Sequence, residues 1–195
     1  PGLLNSLSRN LRRQQGRVRL FESGVAFLQG DSMNEVNRVA AVATGQVLPE
    51  QWGVSNREID FFDMKGDLEA LFSMKGEAGL AEFIPAELPW MHPGACAIVR
   101  MHGNDIGWVG AVHPTVLKKF EVKKSAYAFE IDLEHLLSRD VPFAKEISRF
   151  PSVRRDIAVM LPIDVNYMTV DKCIRDAAGP HLESVRVFDV YQGEN

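Results

Sequence analysis

The spacing of apolar residues predicts two amphipathic helices in the first 75 residues. Leucines three and four positions apart define the first helix: Leu3, Leu4, Leu7 and Leu11. Gly16 is a plausible end for it. The second helix has one apolar face formed by Met64, Leu68, Leu71 and Phe72. Asp63 is the better candidate for its N-cap, and Gly76 is a natural residue to follow its end.

Stretches of β-branched and alternating apolar residues predict strands between and after these helices. Residues 17–23 form a strand that breaks at Gly24 and resumes over residues 25–27. Residues 36–44 are almost all apolar, which favours a central strand buried on both faces, and Gly45 ends it.

The next part of the chain alternates short strands with short helices. The predicted elements are strands over residues 81–86, 95–101, 106–112 and 127–132, a helix from Pro114 to about Phe120, and a helical turn over residues 133–137. The polar residues 102–105 give the clearest hairpin of the chain. Hairpins and short helices predict a mainly antiparallel α+β domain and not a doubly wound parallel sheet.

A polar, proline-containing stretch at residues 138–146 is the predicted linker between two domains. We therefore divide the chain into residues 1–140 and 141–195. The second part contains a strand over about residues 153–159, a helix over 167–178 and a strand over 183–191.

The chain opens on Pro1 and closes on a turn-forming sequence, which suggests a piece of a longer protein.

Composition narrows the class of protein. The 195 residues are 46% hydrophobic and 25% charged, as in ordinary soluble globular proteins. The net charge of −4 gives no general attraction to nucleic acid, so any RNA contact needs a local basic patch. No apolar run is long enough for a membrane span, and no signal peptide opens the chain. Cys96 and Cys173 lie in different segments, which favours a reducing cytoplasm over a disulfide framework.

Candidate catalytic and metal-binding groups are sparse. His92 and Cys96 are four residues apart, but they flank Pro93-Gly94 at the start of a strand, so helical ligand geometry fails. A structural zinc site needs four ligands, which the sequence does not supply. No nucleophile elbow is present. A small-molecule enzyme using His92 or His113 is an alternative interpretation, although both histidines stand in proline-containing turns.

Four tracts, in this order, cover most of the chain. They are LFESGVAF at residues 20–27, DFFDMKGDLE at 60–69, HPGACA at 92–97 with IGWVGAVHP at 106–114, and FPSVRRDIAV at 150–159 with FDVY at 188–191. Together they make the chain resemble the C-terminal portion of the β subunit of bacterial phenylalanine–tRNA ligases.

The resemblance implies a fold and a role. Its first part would be a catalytic-like but inactive module with the antiparallel sheet of class II aminoacyl-tRNA synthetases, and its second part the start of a ferredoxin-like anticodon-binding domain. In the full domain a third strand lies between the first two, so both predicted strands of the second part would lack ladder partners. We therefore expect residues 154–195 to be poorly ordered, to pair with a neighbouring molecule, or to depart from the full-domain topology. The partners implied are the α subunit, within an (αβ)₂ heterotetramer, and tRNA. ATP and magnesium would serve the holoenzyme, with no cofactor, metal or catalytic residue on this chain. A free-standing RNA-binding module of the same fold is a second alternative.

The residues themselves argue against a nucleotide site. A class II site needs an arginine and an acidic residue two positions apart, on one face of a strand. Glu22 is present, but Leu20 occupies the arginine position, and Arg19 should point to the opposite face. A second arginine is needed late in the sheet, and none occurs between Arg100 and Arg139. Without such guanidinium groups a triphosphate has no clamp.

Binding residues can be proposed from the same reasoning. The predicted RNA-contacting residues are Arg149, Arg154, Arg155 and Tyr191; the predicted subunit-interface residues are Met64, Leu68, Leu71 and Phe72. We expect Phe188 to pack in a core rather than to stack on a base. Arg9, Arg12 and Arg13 are better explained as a solvated face that complements the helix dipole than as phosphate ligands.

Overall fold

The computed structural model describes residues 1–29, 33–75, 81–137, 149 and 151–191. Its contacts divide the chain into two compact units, Pro1–Phe143 and Ala144–Asn195. The predicted linker over residues 138–146 lies outside the described residues, as do Gly76, Phe150 and the last four residues.

The first unit is built on one six-stranded sheet in which every pair of neighbours is antiparallel. Its strands are β1 (Val18–Gln29), β2 (Met33–Thr44), β3 (Ala81–Pro85), β4 (Met91–Met101), β5 (Asn104–Val112) and β6 (Ala126–Asp132). Their order across the sheet is β1-β2-β6-β5-β4-β3. This confirms the α+β, antiparallel prediction. The pairing of β2 with β6 is the long-range step that joins the N-terminal hairpin to the rest of the sheet.

Four helices of the first unit border its sheet or connect its strands: α1 (Gly2–Arg12), α2 (Phe61–Lys75), α3 (Pro114–Lys119) and α4 (Glu134–Leu137). The second unit contains α5 (Tyr167–Ala178), which a 3₁₀ turn (Gly179–His181) follows. No helix in the described part of the chain has the length and apolar content that crossing a bilayer requires.

Two hydrophobic clusters form on the two faces of the sheet, because successive strand residues point to opposite sides. Ala43 and Phe129 belong to the cluster that contains α2, which we call the α2 face. Val42 and Ala128 belong to the cluster that contains residues of α1 and α3, which we call the α1 face. Strand β2 is therefore buried on both sides near its end, as its apolar run predicted.

Several strand bounds differ from the predictions. Strands β2 and β5 begin two or three residues earlier than predicted, at Met33 and Asn104. Gly24 does not break β1, because it pairs with Arg38 in a continuous ladder with β2. Strand β4 starts at Met91 rather than Ala95, and its register with β5 shifts between Met91 and Cys96. The predicted hairpin is confirmed, since His102 and Gly103 both have positive φ in the two-residue turn between β4 and β5.

Helix α2 begins with two aspartates that cap it reciprocally. The Asp60 carboxylate accepts hydrogen bonds from the backbone N–H groups of Phe62 and Asp63, at 2.8 and 3.1 Å. The Asp63 carboxylate accepts one from the Asp60 N–H at 2.8 Å. This is the geometry of a capping box, with Asp60 as the N-cap. The prediction that Asp63 is the N-cap is therefore wrong, because Asp63 is the third residue of the helix.

Replacing Asp63 with asparagine is expected to lower the stability of the first unit by about 0.5–1 kcal/mol at pH 7, because Arg57 and the Asp60 N–H lose a charged partner. The hydrogen bond from Arg57 lowers the pKa of Asp63. The ionised Asp63 carboxylate therefore contributes its full stabilisation above the unfolded-state pKa of about 3.9. This stabilisation disappears as pH falls through the lower folded-state pKa. Urea unfolding at pH 7 and at about pH 3 should show the difference shrinking.

Glu69 provides the matched control for this experiment. It forms an exposed ion pair with Lys65 one turn away, and Glu69→Gln should cost no more than about 0.5 kcal/mol at pH 7. An Asp63→Asn penalty that stays constant down to pH 3 would contradict the assignment of its effect to the ionised carboxylate.

The second unit contains helix α5 between two segments without regular structure. Asn166 caps the helix, since its side-chain oxygen accepts a 2.6 Å hydrogen bond from the Met168 N–H. Residues 151–162 and 182–191 belong to no strand. The strands predicted over 153–159 and 183–191 are therefore wrong for this chain. The physical reason is that a strand exists only with a ladder partner, and the described residues offer none, which is the departure from the full-domain topology that we expected.

Candidate functional site

The structure separates the two charged residues at the start of β1. Arg19 pairs with Ala43 in the ladder and points to the α2 face, where its guanidinium forms an ion pair with Asp67. Glu22 lies on the α1 face, where a side chain on Gly2 would come within 3.5 Å of its carboxylate. Because the two groups are on opposite sides of the sheet, they cannot bind one nucleotide together.

A different arginine shares the α1 face with Glu22. Arg38 of β2 forms an ion pair with Glu130 and approaches Asp132, with 3.2 Å between Arg38 Nε and Asp132 Oδ1. Ala40 lies between Glu22 and Glu130 in the ladder, two residues from Arg38, so all four charged side chains are on one face. We call Glu22, Arg38, Glu130 and Asp132 the acidic face cluster.

Sequence reasoning missed the acidic face cluster. The sequence did contain a signal, because Arg38 and Glu130 are charged residues inside otherwise apolar strand patterns. Only the lateral pairing of β2 with β6 brings the two side chains together. Carboxylates outnumber guanidinium groups three to one here. The acidic face cluster is consequently suited to internal ion pairing and not to holding an anion.

Trp108 of β5 lies on the α1 face, within the late stretch of the sheet that contains no arginine. This residue pairs with Glu130 across the sheet, and its ring meets that of Trp90 edge to face, with 6.3 Å between centroids. Arg100, the nearest arginine before it in the chain, is bound to Asp105 at 2.6 Å. At Trp108 the α1 face of β5 therefore presents an aromatic group and not a guanidinium group.

Of the two histidines of the alternative enzyme interpretation, His92 is the second residue of β4 and His113 directly precedes α3. His92 is exposed, with its Nδ1 2.6 Å from the Pro93 carbonyl oxygen. His113 caps α3, where its Nδ1 accepts a 3.2 Å hydrogen bond from the Thr115 N–H. Across the described ranges no group of three His, Cys, Asp or Glu side chains could hold a metal ion. Burial raises the pKa of the Cys96 thiol, which keeps it in its unreactive form.

The predicted interface residues on α2 are mostly part of the core. Met64, Leu68 and Phe72 are buried in the α2-face cluster against the sheet, and Leu71 is partly buried against the same cluster. The interface prediction is corrected for the three buried residues, because the apolar face of a helix that packs on its own sheet is not free for a second chain.

Exposed apolar groups occur elsewhere on this side of the first unit. Phe21, Val25 and Phe27 of β1 are exposed and point to one side of an edge strand. A groove of about 680 Å³ is lined by aromatic rings that include Phe61, Phe62 and Phe83. Neither surface has a signal in the sequence, since each depends on which strand forms the sheet edge and where α2 crosses it.

In the second unit the predicted RNA-contacting residues are at the surface. Arg149 and Arg155 are exposed, and Tyr191 is 88% exposed. Arg154 lies 3.2 Å from Asp156 and holds its guanidinium 5.8 Å from the centre of the Phe188 ring. Phe188 is 62% exposed, so its predicted place in a core is wrong, because the described residues of the second unit form no strands that could enclose it.

Comparisons with known proteins match both parts of the chain. Residues 1–133 match the phenylalanyl tRNA synthetase beta chain CLM domain, and residues 148–195 match the ferredoxin-fold anticodon binding domain. The chain is 43% identical over 198 residues to the phenylalanine–tRNA ligase beta subunit of Xanthomonas oryzae pv. oryzae (strain MAFF 311018) and 40% identical over 195 residues to that of Pseudomonas syringae pv. syringae (strain B728a). Each alignment covers 100% of this chain and 25% of the relative.

A solved structure shows the fold. The crystal structure of pyrrolysyl-tRNA synthetase from Desulfitobacterium hafniense superposes with a TM-score of 0.51 at 19% identity, over 69% of this chain and 46% of that one. The antiparallel sheet thus shares its fold with part of that structure. From the matched residues, and from identity along its whole length, the chain belongs to the phenylalanyl-tRNA synthetase beta chain family.

Proposed function

We propose that this chain is a non-catalytic structural and tRNA-contacting portion of a phenylalanine–tRNA ligase β subunit. It supports the ATP-dependent attachment of phenylalanine to tRNA by an (αβ)₂ heterotetramer in the cytoplasm. Residues 1–140 form the inactive catalytic-like module, and residues 141–195 contain the linker and the first half of the anticodon-binding domain.

The acidic face cluster is the observation that supports the absence of catalysis. ATP carries several negative charges, and productive binding needs cationic groups that are free to meet them. Arg38 is engaged by Glu130 and lies beside Asp132, while Arg19 is held by Asp67 on the other side of the sheet. The residues of this face therefore do not fit ATP or its magnesium complex, whose use belongs to the holoenzyme.

Contacts with the two partners are assigned to different surfaces. The α subunit is proposed to meet the exposed apolar side chains of β1, because Phe21, Val25 and Phe27 present an unburied apolar strip on an edge strand. The tRNA is proposed to contact the second unit through Arg149, Arg154, Arg155 and Tyr191, whose exposed cations suit phosphate and whose exposed ring suits a base.

Titration of ATP with magnesium into the purified chain is expected to give no saturable heat up to about 1 mM, the upper end of ordinary KM values. Phenylalanine-dependent exchange of pyrophosphate into ATP should be absent. Arg38→Ala is the matched control, because it removes the single guanidinium of the acidic face cluster. Saturable ATP binding that Arg38→Ala abolishes would refute the non-catalytic assignment.

A further inference from the structure

The C-terminal ends of α1 and α3 lie side by side in the first unit, although about a hundred residues separate them in the chain. Leu7 and Leu117 are buried in the same cluster on the α1 face. Arg12 Nη2 donates to Glu121 Oε2 at 2.5 Å, and Lys124 Nζ donates to the Gly16 carbonyl oxygen at 3.4 Å. Residues 9–17 and 118–124 consequently form one continuous surface.

This surface carries a high density of positive charge. Its cations, all exposed, are Arg9, Arg12, Arg13, Arg17, Lys118, Lys119, Lys123 and Lys124. Glu121 is the sole carboxylate in these two segments. We call this set of cations the α1–α3 basic patch. It stands out because the whole chain has a net charge of −4.

Internal contacts occupy only part of the α1–α3 basic patch. Arg12 is bound to Glu121, and Arg17 donates to the Val47 carbonyl oxygen at 3.2 Å. For Arg9, Arg13 and Lys119, by contrast, the described residues provide no ion pair. Each helix end supplies a partial charge of only about −0.5, so two helix dipoles balance about one cation. If these cations served only as a solvated face that complements the helix dipoles, most of the positive charge of the patch would have no negative counterpart.

The chemistry of the patch favours a nucleic-acid backbone over a protein. Protein interfaces are centred on buried aromatic or aliphatic side chains. None of the exposed large apolar side chains of the described chain lies within residues 1–17 or 114–125. Lysine and arginine without such anchors are what phosphate contacts require, because phosphates are bound through charge and carry no sequence information.

We propose that the α1–α3 basic patch is a second RNA-contacting surface that binds the phosphate backbone of tRNA. This inference rests on the proposed function and deepens it, because it assigns RNA contacts to the catalytic-like first unit as well as to the anticodon-binding segment. The first unit then contributes to tRNA affinity through charge, without reading bases.

The test replaces four cations of the patch that the structure leaves out of hydrogen bonds: Arg9→Gln, Arg13→Gln, Lys119→Gln and Lys123→Gln. Binding of the whole chain to a fluorescently labelled tRNA that accepts phenylalanine is measured by anisotropy between about 50 and 200 mM KCl. Losing four phosphate contacts should reduce the slope of log affinity against log salt by about 3 and weaken binding roughly tenfold or more at the lower salt.

A charge-retaining variant is the matched control. Arg9→Lys, Arg13→Lys, Lys119→Arg and Lys123→Arg together keep every positive charge and should keep the salt slope, since backbone contacts depend on charge. Circular dichroism and thermal unfolding should be the same for both variants, because these side chains are exposed. A glutamine variant with unchanged slope and affinity would overturn the inference.

A third variant separates this inference from the proposed function. Arg149→Gln, Arg154→Gln and Arg155→Gln together test RNA contact by the second unit in the same assay. If that variant loses affinity while the patch variant does not, the second surface is refuted and the proposed function stands. A wild-type chain that fails to bind tRNA refutes both. Glutamine replacements in the patch that abolish binding to the α subunit but leave tRNA binding intact would assign the patch to a protein and refute the RNA assignment.

Discussion

Replacing Phe72 with alanine is expected to lower the free energy of unfolding of the first unit by about 3–5 kcal/mol. Phe72 is 1% exposed and belongs to the cluster between α2 and the sheet. Truncating a ring of this size removes its transfer free energy and leaves a cavity that the rigid sheet cannot close. Urea unfolding followed by circular dichroism measures the loss as a lower midpoint with an unchanged slope.

Met74, on the exposed side of the same helix, is the matched control. Its side chain is 74% exposed, so Met74→Ala should change stability by no more than about 0.5 kcal/mol. If Phe72→Ala were as mild as Met74→Ala, then Phe72 would not be in a core, and the prediction that this helix face binds a subunit would return. The pair therefore decides between internal packing and an interface.

The second large effect is expected at Gly45, where the chain leaves β2. Gly45 has a φ of +86°, and a Cβ there would lie 2.1 Å from the Gly16 carbonyl oxygen. The left-handed conformation costs an L-residue about 1–2 kcal/mol, and the clash with backbone that cannot rotate away adds about 1–3. Gly45→Ala should consequently destabilise the first unit by about 2–5 kcal/mol in urea unfolding.

Two other glycines separate these contributions. Gly53 has a φ of +80° and no atom within 4 Å of the place that an alanine methyl group would take, so Gly53→Ala should show only the conformational cost of about 1–2 kcal/mol. Gly16 has neither a positive φ nor a nearby atom, and Gly16→Ala should be close to neutral. Equal penalties at Gly45 and Gly53 would show that the close approach of residues 16 and 45 is absent in solution.

Local patterns in the sequence predicted most elements of the first unit, because each pattern reflects a local cause. The turn at His102-Gly103 and the helix start at Pro114 follow from the conformations that these residues favour. The opposite orientation of Arg19 and Glu22 follows from the two-residue period of a strand. The wrong N-cap prediction for α2 also has a local cause. Asp60 and Asp63 are both residues that cap helices well, and only the hydrogen-bond geometry shows which of them precedes the helix.

The second unit shows where a local pattern is insufficient. Residues 153–159 have the apolar character of a strand, yet they form none in this chain. Strand formation depends on hydrogen bonds to another segment, so the same residues can satisfy a pattern and still lack the structure. Phe188 was misplaced for the same reason, since the core expected around it needs those strands.

The sequence alone thus determined the family resemblance, the antiparallel class of the sheet and the absence of a correctly spaced arginine beside Glu22, all of which depend on residue identity and short-range periodicity. Only the tertiary structure decided that Arg38 lies between Glu130 and Asp132, that α2 buries its apolar face on its own sheet, and that α1 and α3 unite their cations on one surface. These features join segments some forty to a hundred residues apart. Their positions follow from strand order and helix packing, which are properties of the whole fold and cannot be obtained from any single position.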